Sequence, residues 1–208
     1  MRTYSLGRDT KAEESIITEH QKQLFISQFN PHFLFNALNL IKGYAYVEPR
    51  TAGLVVDDFS VYLRGCIEVI KNPKVVPFSW ELEKMNAYIR IEEKRFYNLE
   101  VNIDIEHLDF MVPGMTILPF VKEAVNRAVY TKEEVGQVFI HTLHDGENSK
   151  IIIEDNGGEE EMKYLKGMGI SQWSSILEKD VDAQIETEQL SENKRRLTIT
   201  IPDEKEIF

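Results

Sequence analysis

The spacing of apolar residues along this 208-residue chain is helical throughout its first half and mixed beyond it, and that change limits what it can fold into. Up to about residue 96 the spacing is helical. Ile17, Leu24, Gln28, His32, Phe35, Leu38 and Ile41 recur at helix-like intervals and predict a helix from about Ala12 to about Tyr46. Pro49 interrupts it, with Thr51 the expected N-cap of a second helix. Val55, Phe59, Tyr62, Cys66 and Val69 then step by four and three until Asn72-Pro73. A third helix is expected from Ser79 as N-cap, with Glu81 and Glu83 in its first turn favouring the dipole and Leu82, Met85, Ile89 and Phe96 on its apolar face. Beyond it the period falls to two. Val101, Ile103 and Ile105 alternate with Asn102, Asp104 and Glu106, the pattern of a half-buried strand. Val138–Thr142 and Lys150–Glu154 read as a hairpin about the turn Asp145-Gly146-Glu147-Asn148, and Ala183–Thr187 with Leu197–Ile201 as a second strand pair. Helical spacing returns over Pro113–Tyr130 and around Ile170–Leu177. The chain therefore reads as a helical hairpin over residues 12–72 and an α+β domain over 76–208, with helices layered on a sheet. One hairpin alone buries too little on either face, so a homodimer forming a four-helix bundle is expected.

Composition excludes several classes. A net charge of −11 argues against a general nucleic-acid or anionic-membrane binder. No stretch approaches the roughly 20 apolar residues of a membrane span, and the polar N-terminus does not read as a signal peptide. The single Cys66 lies on an apolar helical stripe, the pattern of a buried thiol in a reducing compartment. A cytoplasmic location is the expectation.

Three segments carry chemistry. In Gln28-Phe29-Asn30-Pro31-His32-Phe33-Leu34-Phe35-Asn36, Pro31 gives no N–H to the carbonyl of Ser27, which predicts a kink where the His32 imidazole emerges. Asn36, four residues on, shares a face with His32 and can reach its ring. Taken alone, such a histidine among Phe and Leu is usually a satisfied core residue. Asp155-Asn156-Gly157-Gly158 follows the apolar run Ile151-Ile152-Ile153, placing an acid at a strand end beside backbone that a ligand can approach, although an Asx-turn has the same composition. Gly167-Met168-Gly169 leads into a helix, whose free N–H groups favour phosphate. Lys163 and Lys166 lie on the polar loop between the two glycine clusters.

Over nearly its whole length the sequence resembles the bacterial sensor histidine kinases of the autolysin-sensor type. The run from Gln28 to Asn39 is similar to that family's phospho-acceptor signature, Leu63-Arg64-Gly65 to its second-helix signature, and Trp80–Glu92 with Arg95-Phe96 to its linker helix. Asp155-x-Gly157 and Gly167-Met168-Gly169-Ile170 resemble the glycine boxes of the gyrase, chaperone and histidine-kinase ATPase fold, an α/β sandwich with a mixed, largely antiparallel sheet. The resemblance implies that His32 accepts the γ-phosphate of ATP with Asn36 orienting its ring. It also implies that Asp155 binds the adenine amino group beside Gly157, that Gly167 and Gly169 flank the phosphates, and that the phosphoryl group passes to an Asp of a response-regulator receiver domain. Members of this type carry a membrane or sensory segment ahead of the hairpin that is not seen in this chain, so attachment to a membrane would run through such a segment.

The first nucleotide box departs from the family pattern. In Pro119-Phe120-Val121-Lys122-Glu123-Ala124, Lys122 stands at the family's Glu and Glu123 at its Mg²⁺-binding Asn, while Arg127-Ala128 replaces His-Gly. Glu159 takes the place of a glycine, and Gln172 that of an Asn in the last box. A carboxylate at 123 still suits Mg²⁺ but adds negative charge beside a triphosphate. The alternative reading is accordingly a catalytically impaired pseudokinase, a dimeric signalling scaffold. A free-standing ATPase of the same superfamily is disfavoured because its general base would fall at Lys122.

Overall fold

The computed structural model describes residues 31–131, 135–157 and 170–203. Helix α1 (Pro31–Val47) and helix α2 (Pro49–Lys71) are joined through Glu48 and pack against each other. The part of the first helix expected before residue 31, and with it the proline kink, lies outside the described residues. Thr51 is not the cap of α2: Glu48 is, with no side-chain cap bond, because Pro49 at the first helical position already has the required φ. Next come β1 (Val75–Pro77), α3 (Phe78–Arg95), β2 (Leu99–Ile105) and β3 (Met111–Pro113), with β1 and β3 paired antiparallel. Three-residue strands have no period to read, and neither was expected. Helix α3 is capped by Pro77 rather than Ser79.

Helix α4 (Leu118–Ala128) is shorter than the expected Pro113–Tyr130. Met111–Pro113 is taken by the β1 pairing, and Met115 sits at φ 60°, a left-handed conformation that no helix continues through. The chain then forms β4 (Gly136–His144), β5 (Asn148–Asp155), α5 (Ile170–Val181), β6 (Gln184–Ser191) and β7 (Lys194–Pro202). The five-stranded sheet runs β2-β4-β5-β7-β6, with β2 and β4 parallel and every other pair antiparallel. The fold is thus α+β, with the strands that the alternating segments indicated forming the mixed, largely antiparallel sheet that the resemblance implied.

One buried apolar cluster runs from Phe33 on α1 through Tyr62, Cys66, Phe78, Met85 and Val121 to Ile140, Ile151 and Ile199 in the sheet. Hairpin and sheet domain share this core, and an Arg90–Asp58 ion pair at 2.6 Å ties α3 to α2. Among the described residues the most deeply buried acid is Glu81 on α3. Its carboxylate accepts backbone N–H bonds from Met115 (2.5 Å), Ile117 (3.0 Å) and Leu118 (3.0 Å), so one side chain caps the start of α4 and holds the left-handed turn before it. Helix α4 lies against β4 and β5, which positions the site described next.

Candidate functional site

His32 and Phe33 are consecutive on α1 and point opposite ways. Phe33 is buried and packs its ring against Tyr62 (4.8 Å between centroids) and Tyr88 (5.2 Å), which fixes the helix and turns His32 outward, where it is exposed. The Asn36 amide nitrogen stands 3.2 Å from both ring nitrogens of His32, so it can donate to whichever carries no proton. The i, i+4 spacing brings these two together as anticipated.

Beside His32 is a cavity of about 20 Å³ lined by Phe33, by Tyr88, Glu92 and Arg95 of α3, and by Lys122 and Asn126 of α4. His32 and helix α4 therefore border one space. Lys122 reaches from α4 into the hairpin: its Nζ donates to the Tyr62 hydroxyl at 2.8 Å and lies 4.8 Å from the Tyr62 ring centroid and 5.5 Å from that of Tyr88. Burial lowers its pKa to about 8, with Cys66 and the carboxylates of Glu92 and Glu81 opposing that shift. Burial also pushes the Tyr62 phenol up. Glu92 is 2% exposed, its carboxyl raised by burial and held back by Arg95 at 3.1 Å.

On successive turns of the same helix, α4 carries Glu123 and Arg127. The Arg127 guanidinium is 1% exposed and donates through Nε to Asp155 Oδ1 (2.9 Å) and through Nη2 to the Gly157 carbonyl (2.6 Å). Asp155 Oδ1 also accepts the Gly157 N–H at 3.0 Å. Burial raises the Asp155 carboxyl, and Arg127 opposes that rise. Glu123 is held by Arg195 of β7, Nη1 to Oε1 at 2.7 Å. At Gly157 a Cβ would stand 2.6 Å from the carbonyl carbon, Cβ and carbonyl oxygen of Arg127, so the open side of this glycine faces the chain's own helix rather than space for a ligand. Asn156 is occupied structurally: its side chain accepts the Gln137 N–H (2.7 Å) and donates to the Val135 carbonyl (2.9 Å), fastening the start of β4.

Asp155 and Gly157 thus sit at Arg127 near the C-terminal end of α4, with Glu123 one turn back along the helix, while His32 and Asn36 lie on α1. Gly167 and Gly169, with Glu159 and the two loop lysines, lie outside the described residues. The roles of Arg127, Arg195 and Lys122 as internal partners were not anticipated. One signal was in the sequence: Lys122, Glu123 and Arg127 are charges on a helix whose remaining positions are mostly apolar, and buried charges require partners. As they stand, these acids do not fit Mg²⁺ and a nucleotide directly, since Asp155 and Glu123 are each already paired with an arginine.

Residues 20–99 match the family model described as histidine kinase. Over 157 residues the chain is 33% identical to the sensor histidine kinase BtsS of Escherichia coli (strain K12), covering 74% of this chain and 28% of that protein. It is 27% identical over 152 residues to the sensor protein LytS of Bacillus subtilis (strain 168), covering 72% of this chain and 26% of that one. It therefore spans little more than a quarter of the length of these relatives. Among solved structures, Acinetobacter baumannii histidine kinase AdeS aligns with a TM-score of 0.49 at 15% identity, over 84% of this chain and 98% of that one.

Proposed function

We propose, for a chain that is a relative of the sensor histidine kinases of the autolysin-sensor type, that it is the kinase portion of a two-component system, with His32 as its phospho-acceptor. The observation that supports this reading is a cavity bordered by His32 and by Lys122 and Asn126 of α4, so that the histidine and that helix face one space. In the reaction the neutral ring nitrogen attacks the γ-phosphorus of ATP, an N–P bond forms, the bond to the bridging oxygen breaks and ADP leaves. Asn36 holds the ring, its side-chain amide standing 3.2 Å from both ring nitrogens. The phosphoryl group then passes to a receiver-domain Asp of a response regulator. Phosphoryl transfer asks chiefly for positioning and charge neutralisation, and Arg95 and Lys122 line the cavity beside His32. Asp155 and Gly157 are the proposed base-recognising residues and Glu123 the proposed Mg²⁺ ligand, once freed from their arginines.

Incubation with Mg²⁺ and γ-labelled ATP tests this. Label is expected on the wild type and is lost entirely in His32→Ala, whereas a wild type that neither takes label nor binds nucleotide by calorimetry removes the kinase reading. The two arginine pairs favour a second reading, the impaired scaffold, and that second result would establish it.

The hairpin, proposed as one unit over residues 12–72, is also where a homodimer is proposed. Phe35, Leu38 and Tyr46 are exposed at helical spacing on α1, as are Val56 and Ile67 three turns apart on α2. A second copy covering these side chains completes a four-helix bundle. Phe35→Asp with Leu38→Asp is expected to convert a dimer to a monomer in sedimentation velocity with the helical circular-dichroism signal retained; a double variant that stays dimeric places the interface elsewhere. No helix among the described residues is long and apolar enough to cross a membrane.

A further inference from the structure

We propose that Arg127 and Arg195 are the chain's own occupants of the nucleotide site, one at the base-recognising carboxylate and one at the metal carboxylate, so that an entering Mg²⁺–nucleotide must displace two internal guanidinium groups. The inference rests on the reading above that Asp155 and Gly157 recognise the base of ATP and Glu123 its Mg²⁺.

The chemistry of each occupant matches the ligand group it stands in for. An adenine amino group is an N–H donor, and Asp155 Oδ1 already accepts the Nε–H of Arg127 at 2.9 Å. A magnesium ion is a cation seeking carboxylate oxygen, and Glu123 Oε1 already holds the cationic Arg195 at 2.7 Å. Neither pair is a loose surface contact. Arg127 and Asp155 have side chains 1% and 5% exposed, and those of Arg195 and Glu123 are 14% and 11% exposed. Arg127 is further fixed by its bond to the Gly157 carbonyl at 2.6 Å, and the backbone of the same arginine fills the hollow that the missing Gly157 side chain leaves. The two guanidinium groups come from different elements, α4 and β7, so each can be removed without the other.

A ligand whose binding form is only a fraction of the population shows an affinity reduced by that fraction. Removing an occupant therefore tightens binding, and each arginine has its own signature. Arg127→His substitutes a shorter side chain that cannot reach both Asp155 and the Gly157 carbonyl; it is expected to tighten ADP binding about 10-fold with or without Mg²⁺. Arg195→Gln removes only the cation at Glu123; it is expected to tighten ADP binding by a similar factor of about 10 with Mg²⁺ present and to leave metal-free ADP unchanged.

Calorimetric titration of wild type and both variants with ADP, with and without Mg²⁺, decides it, circular dichroism confirming that each variant is folded. If Arg127→His does not fold, the metal-dependent change in Arg195→Gln carries the test alone. Affinities unchanged or weaker in folded variants overturn the proposal. Wild type that still labels His32 from γ-labelled ATP shows that the kinase reading survives that failure. No ADP binding by any of the three proteins, together with no label on His32, overturns both.

Discussion

Glu81→Ala unfolds this protein, or leaves it less stable by at least about 3 kcal/mol, because three backbone N–H groups lose their acceptor at once and each buried, unsatisfied group costs about 1–3 kcal/mol. The donors are Met115, Ile117 and Leu118, and the carboxylate they share is fully buried. Glu81→Gln separates shape from charge. Its remaining carbonyl oxygen can keep the Ile117 and Leu118 bonds, but its amide nitrogen faces the Met115 N–H, donor against donor, so an intermediate loss is expected. Urea unfolding measures both. A Glu81→Ala loss under about 1 kcal/mol means that water replaces the carboxylate.

The same residue gives the protein a pH dependence. Burial pushes the Glu81 carboxyl up to about 7, above its ordinary 4.5, even though the backbone bonds and Lys84 pull it down. The folded state then holds the proton more tightly than the unfolded one. The contribution is complete below pH 4.5 and is lost as pH rises through about 7. Its full size is on the order of 3 kcal/mol. Wild type is expected to lose more stability between about pH 5 and about pH 8 than Glu81→Gln, which keeps only the dependence of groups such as Glu92, Asp155 and Lys122; equal slopes in the two proteins assign the dependence to those other groups.

Arg127→Ala is the second large effect. It leaves the Asp155 carboxylate buried without its cation, a loss of about 3–5 kcal/mol, and removes the donor to the Gly157 carbonyl. Burial already raises the Asp155 carboxyl, so without Arg127 it rises further and the deficit is smallest in acid, where the group is neutral. Adding Asp155→Asn to Arg127→Ala is expected to recover much of the loss, because a neutral amide is far cheaper to bury alone than a carboxylate. A double-mutant cycle near zero would show that the two side chains do not interact.

The parts of the fold that could be read in advance are those with a period. The hairpin helices, β2, β4, β5 and β7 each bury one face, and burying one face imposes a repeat on the sequence. Strands β1 and β3 are too short to carry one. The start of α4 was misplaced because its boundary is set by Glu81, far away in sequence, and by the left-handed Met115. Asn36 beside His32 follows from local helix geometry, whereas the partners of Asp155 and Glu123 do not.

By itself, then, the sequence determined the longer helices and strands, the pairing of His32 with Asn36 on one helix face, and the strand-end acid at Asp155. Glu81 shows what it could not decide. In sequence it is a first-turn acid beside its own helix dipole; in the structure the same carboxylate caps a different helix. Arg127, Arg195 and Lys122 are of the same kind. A side chain's charge is written in the sequence, but what neutralises it depends on which elements the core brings together, and only the packing of α4 against β5, β7 and the hairpin set those partners.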